Sequence, residues 1–300
     1  MSKEARAHLA VLVVNLIYGA NFNIAKAIMP AYIGPLGFIV LRVFVSLFLF
    51  FLFFLFTPFF KREKIKREDI LMLALCGLTG VAVNQMLFFK GLALTSPING
   101  AIIMTTNPIL VLIIAAILIK ERVTITKMLG IAAGAAGALT LLLWGRDVSF
   151  HSETFTGDLF IFINAMSYGV FLVISKPLLR KYNPVTVIKW TFFFGSFMVL
   201  PFGYGEVMQV PWSSLTPMLW AGIAYVVIAT TFIAYLLNTI ALDTLSPSSV
   251  SIYIYLQPLF TTVVALFSGN QPVTPVHIVS ALLIFAGVYL VSRSAPGAKA

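Results

Sequence analysis

Acidic residues are scarce in this chain, with ten Asp and Glu against twenty Lys and Arg over 300 residues. None of the ten falls deep within a long apolar run. That leaves no carboxylate pair for general acid–base work and no membrane-embedded Glu of the kind proton-driven drug exporters titrate. Cysteine is nearly absent: Cys76 stands alone, so no internal disulfide and no thiolate metal cluster can form. His8, His151 and His277 are scattered singly, without the spacing of a metal motif. No Walker sequence is present, and no Ser–His arrangement. Together these absences exclude ATP hydrolysis within the chain and argue against a metal site, a cofactor and an intramembrane enzyme.

Apolar residues make up 60% of the chain, charged residues only 10%, and mean hydropathy is +1.01. No soluble surface can be built from that, so the bilayer is the expected solvent. A hydrocarbon core of about 30 Å needs roughly 20 apolar residues per helix. The hydropathy pattern predicts ten spans, near 8–28, 35–58, 70–92, 97–119, 126–144, 158–178, 184–204, 215–238, 247–268 and 275–292. An amino terminus in the cytoplasm puts the basic loops, including Lys61 to Arg67, Lys120 to Lys127 and Arg180-Lys181, on the inner face, against Arg146 alone outside. Both termini are then cytoplasmic. The net charge of +10 is this bias plus attraction to anionic headgroups, and needs no nucleic-acid partner.

Shifted by 150 residues, the chain matches itself at residues that are rare in lipid. Tyr18-Gly19 falls on Tyr168-Gly169, Lys26 on Lys176, Ser96-Pro97 on Ser246-Pro247, Pro108 on Pro258, and Ala136-Gly137 on Ala286-Gly287. Five spans per half is an odd number, so the second copy enters from the opposite side and the two are inverted. The expectation is an all-α polytopic membrane protein: residues 1–147 form the first five-helix repeat, 148–157 an outer connecting loop, and 158–300 the second repeat, around a central cavity.

Pro97 and Pro247 start spans, where a missing N–H costs nothing. Pro108 and Pro258 lie about a dozen residues further in, where each is expected to kink its helix and free a carbonyl. Asn107 and Gln257 precede them, and two readings stand: they line the pathway, or they glue helices together. Helical spacing pairs Tyr253 with Gln257, Asn99 with Thr106 and, loosely, Asn84 with Lys90. Tyr18 with Asn21, and Tyr168 with Asn164, form matching clusters in spans one and six. Phenols and carboxamides together suit a small amphipathic or zwitterionic solute.

Every ionisable residue inside a span is basic. Lys26, Lys90 and Lys176 lie within a turn of a helix end and can snorkel. Arg42, at about 1.5 Å per residue, sits roughly 10 Å deep, with Lys189 slightly shallower, so both should face the protein interior. For Arg42 a bound substrate anion and exposed backbone carbonyls are equally good partners. Gly130, Gly134 and Gly137 allow close helix packing, internal or in a weak homodimer. The Phe-rich run Phe44 to Phe60 reads as a lipid-facing helix without chemistry.

These features resemble the EamA branch of the drug/metabolite transporter superfamily. The resemblance rests on Lys90-Gly91-Leu92-Ala93-Leu94-Thr95-Ser96-Pro97, Thr106-Asn107-Pro108 and Lys120-Glu121-Arg122, echoed by Ala241-Leu242, Ser246-Pro247 and Gln257-Pro258, and on Pro35 with Leu41-Arg42. At the repeat offset Gln271 replaces Glu121 and Phe192 replaces Arg42, so those roles belong to the first half. The resemblance implies a bacterial inner-membrane exporter or facilitator working by alternating access. Basic residues without buried carboxylates favour an amino-acid-like, carboxylate-bearing solute over an organic cation. A multidrug carrier, a sugar-phosphate carrier and a channel are the alternatives.

Overall fold

Proline opens six of the helices, each time at a position whose N–H would have no helical partner. Side-chain caps precede four of these prolines: Ser96 accepts from the Asn99 N–H, Asn183 from Val185, Thr216 from Leu219 and Ser246 from Ser249. The computed structural model describes residues 1–29, 31–56, 63–144, 154–267 and 274–294, with backbone alone for 20, 22, 23, 26 and 264–267. Arg146, His151, Gln271, most of the 148–157 linker and the Lys26 side chain therefore lie outside the described residues. Within them run ten helices: α1 Lys3–Ile28, α2 Pro35–Phe56, α3 Arg67–Leu94, α4 Pro97–Leu118, α5 Ile125–Leu143, α6 Phe155–Leu179, α7 Pro184–Met208, α8 Pro217–Thr244, α9 over 247–267, and α10 Pro275–Arg293. Eight of them, α2 to α8 and α10, are long and apolar enough to cross a membrane.

The repeat is visible in the contacts. Asn107 on α4 donates through Nδ2 to the Ala165 carbonyl on α6 at 2.7 Å, and Gln257 on α9 donates through Nε2 to Asn15 Oδ1 on α1 at 2.9 Å. Both partners of the first bond map onto both partners of the second under the 150-residue shift. Gly169 likewise lets α6 approach Val111 and Ile114 of α4, as Gly19 lets α1 approach Phe260 and the Gln257 carbonyl of α9. Each half thus seats its first helix against the other half's fourth, so the halves interlock across the centre.

The glycines of α5 are consumed inside the chain. A Cβ on Gly287 of α10 would stand 2.5 Å from the Gly130 carbonyl oxygen, and one on Gly137 would stand 2.7 Å from that of Ser280. Backbone-to-backbone contact of this kind is what small residues permit in lipid.

Polar groups close the ends of the bundle. At one end Lys3 pairs with Asp243, Lys181 with Asp69, and Lys176 donates to the carbonyls of Leu242, Asp243 and Leu245 at the C-terminal end of α8. The hydrogen bond it donates to the Asp69 carboxylate raises the Lys181 ammonium above its ordinary value. At the other end the Glu206 carboxylate accepts from the Gly37 N–H at the start of α2, as an anion should at a helix N-terminus.

Two expectations need correcting. Pro108 and Pro258 do not kink continuous helices. The break comes first, as a turn at Thr105 and Thr106 in α4 and as 3₁₀ winding over Ile252–Tyr255 in α9. Each proline then sits in the first turn of a second half-helix, where it costs nothing. The Phe-rich run is not simply lipid-facing. Phe50 is fully buried with its ring centroid 4.9 Å from those of both Phe192 and Phe232, while Phe48 and Phe56 on the opposite side are exposed.

Candidate functional site

Two helices are wound wide at matching places: Leu78–Ala82 in α3 and Tyr225–Ile233 in α8 are π-helical, and the 150-residue shift carries the first inside the second. A π turn displaces carbonyls from their usual donors and is common at functional sites. Here side chains meet them. In α8 the hydroxyls of Thr230 and Thr231 both donate to the Val226 carbonyl, and Ser46 of α2 donates to that of Val227. In α3 the Thr79 carbonyl accepts from Ser167, and the Gly80 carbonyl lies 2.9 Å from the Tyr235 hydroxyl.

Between these turns lies a cavity walled by α1, α2, α3, α4, α6, α8 and α9. Met104 and Ile254, which match at the repeat offset, both line it. They stand at the helix breaks that precede Pro108 and Pro258. Both breaks therefore border the cavity.

Arg42 is the one charged group among the described lining residues. It is 3% exposed and its Nε donates to Thr231 Oγ1 at 2.9 Å, with Nη2 3.5 Å from Thr230 Oγ1 and the guanidinium 4.4 Å above the centre of the Phe89 ring. Nη1 has no hydrogen-bond partner among the described residues. Around it the amides are half committed. Asn84 and Asn164 each donate to the other's backbone carbonyl, Gln85 donates to the Tyr235 hydroxyl, and Asn238 donates to that of Tyr168. Among the described residues the carboxamide oxygens of Asn21, Gln85, Asn164 and Asn238 are left without a donor. The Tyr235 proton has two acceptors in reach, the Gly80 carbonyl and Asn84 Oδ1 at 3.1 Å, and serves one at a time. Phe88, Phe89, Val250 and Ile254 supply an apolar wall.

Of the residues singled out from sequence, Tyr18, Asn21, Arg42, Asn84, Tyr168 and Gln257 are brought together here. Five are not. Asn107 is fully buried on the Ala165 carbonyl, so its packing role holds. Thr106 spends its hydroxyl on the Ile103 carbonyl at the helix break, and Asn99 lies in the cap of α4. Tyr253 turns away to His8, 2.8 Å off, because the 3₁₀ winding removes it from the face that Gln257 occupies. Lys189 faces a different pocket, with its ammonium 3.6 Å from the centre of the Phe54 ring. Sequence reasoning missed Gln85, Thr230, Tyr235 and Asn238. Gln85 and Tyr235 do occupy matching repeat positions, but as different residues a search for identities passes over them.

A sequence model of the EamA-like transporter family matches the chain twice, over residues 5–143 and 155–293. The chain is 25% identical over 291 residues to the uncharacterized transporter YyaM of Bacillus subtilis, covering 97% of this chain and 94% of that one. It is 25% identical over 234 residues to a probable terminal-alkyne amino-acid exporter of Streptantibioticus cattleyicolor, 78% of this chain and 77% of the other. The fold resembles a solved crystal structure with a TM-score of 0.77 at 17% identity, over 97% of this chain and 99% of that one.

Proposed function

The chain belongs to the EamA-like transporter family, and on that footing we propose that its central cavity carries a small amphipathic solute bearing both a carboxylate and an ammonium group. The two halves would expose the cavity alternately to either side of a bacterial inner membrane, with both termini in the cytoplasm. One observation carries the substrate class: Arg42 holds an unpartnered Nη1 inside the cavity while four carboxamide oxygens there lack donors. A buried guanidinium is neutralised well by a carboxylate, and carboxamide oxygens accept from an ammonium. The absence of any carboxylate among the described lining residues disfavours a lone organic cation, which would find no counter-charge. The amino-acid exporter among the relatives is consistent with this chemistry, and the basic bias of the end bearing Lys3, Lys176 and Lys181 supports the orientation.

Proteoliposome transport of a matched acid and amide pair tests the reading. Losing a hydrogen bond to a charged group is worth about tenfold or more, so Arg42→Gln should slow the acid by that factor and the amide much less. Equal loss for both, at equal protein abundance, would overturn the assignment of Arg42 to the substrate.

A further inference from the structure

Lys189 is left over by the central site. It is buried, six residues into α7, and lines a second pocket formed by the end of α2, the start of α3 and the segment before it. The rings of Phe54, Phe51 and Trp190 lie 3.6, 5.2 and 5.9 Å from its ammonium. Lys64 lines the same pocket, at the rim. Glu63 is there too, with one carboxylate oxygen committed to the Asn183 N–H. The remaining wall is apolar: Leu55, Ile65, Ile70, Leu73 and Phe194. At about 1.5 Å per residue, Lys189 lies less than 10 Å below the start of its helix, the depth of the headgroup and upper acyl region of a bilayer. It lies toward the basic end of the bundle, the end that carries the Lys181–Asp69 pair. The match at the repeat offset, Ile39, carries no charge.

We propose that this pocket holds one anionic phospholipid, its phosphate on Lys189 and Lys64 and the first part of an acyl chain along Phe51, Leu55 and Phe194. The rings of Phe51, Phe54 and Trp190 gather on the ammonium and line the same pocket. A phosphate on a chain matches a lysine pair set over an apolar wall better than a free anion does, since a free anion would leave the wall to water. A zwitterionic lipid offers the same chain without the net charge.

Trp190 reports occupancy directly. With wild type and Trp190→Phe in vesicles, the difference in tryptophan quenching by lipids brominated on the upper acyl chain isolates this residue. Brominated phosphatidylglycerol should quench Trp190 more effectively than brominated phosphatidylcholine, by about fivefold in apparent affinity, the worth of one basic residue near an anionic surface. Lys189→Gln should abolish the preference and Lys189→Arg keep it. Equal quenching by the two lipids in the wild type would overturn the proposal, whatever the variants do. So would relief of the quenching by millimolar inorganic phosphate, which would make the ligand a free anion.

Discussion

The two halves of this molecule share a frame and differ in chemistry. Helix breaks before Pro108 and Pro258, π turns in α3 and α8, and the paired contacts of Asn107 and Gln257 recur under one shift. Where the shared frame meets the cavity, the side chains diverge. Arg42 stands opposite Phe192 in the alignment of the halves, Asn84 and Gln85 opposite Ala234 and Tyr235, and Phe88 opposite Asn238. Symmetry in the backbone suits a device that must open both ways. Asymmetry in the side chains gives a solute with two unlike ends a single orientation. The division extends to the bundle end: Lys127 is fully buried on Glu121 at 2.7 Å, whereas its match His277 sits in the cap of α10, accepting from the Thr274 N–H at 3.0 Å.

That last contrast yields the largest expected effect. Lys127→Met strands the Glu121 carboxylate, whose side chain is 6% exposed, and breaking a buried pair costs about 3–5 kcal/mol. His277→Ala removes a cap worth about 1 kcal/mol. Thermal melting in detergent should show the first far below the second, with the double variant Lys127→Met, Glu121→Gln recovering most of the loss. Equal melting points would mean that the halves differ here in sequence but not in energetics.

Next in size is exchange across the repeat. Arg42 is held by Thr230 and Thr231, and their matches in the first half are Gly80 and Val81, which offer no hydroxyl. Moving the charge with Arg42→Phe and Phe192→Arg together should therefore leave carboxylate transport as low as Arg42→Phe alone, about tenfold or more below wild type. Recovery in the double variant would make the charge, and not its seat on the π turn, the element that matters.

The frame was legible because its signals are rare residues. Proline and glycine announce backbone events wherever they occur, and their recurrence at 150 residues gave both the halves and the places where α4 and α9 break. The kind of break was not legible, since one proline is compatible with a kink inside a helix or with the first turn of a new one. The cavity was half legible. Tyr18 and Tyr168 match and were found, while Asn238 was missed because its counterpart is Phe88. Depth along α7 implied that Lys189 faces the protein interior, and it is buried, but depth says nothing about which side of the helix meets the centre. Neither π turn left a mark in the sequence, because the carbonyls they displace are satisfied by Thr and Ser residues that read as ordinary membrane-helix composition.

The smallest effect tests the matched tyrosines. Tyr168 accepts from Asn238 Nδ2 at 2.6 Å, so Tyr168→Phe removes an acceptor and leaves a buried donor without a partner. That should cost about 1 kcal/mol of stability. Phe88, the match to Asn238, has no donor to give Tyr18, so among the described residues Tyr18→Phe breaks no equivalent bond and should shift the melting point less than Tyr168→Phe does. If the Tyr18 hydroxyl serves solute instead of scaffold, the ranking reverses in transport, with Tyr18→Phe raising the apparent KM more than Tyr168→Phe does. Melting and KM measured on both variants separate the cases: the same ranking in both assays would reduce the tyrosines to scaffold and leave recognition to Arg42 and the carboxamides, while opposite rankings would divide two identical residues, at symmetric positions, between holding the fold and holding the cargo.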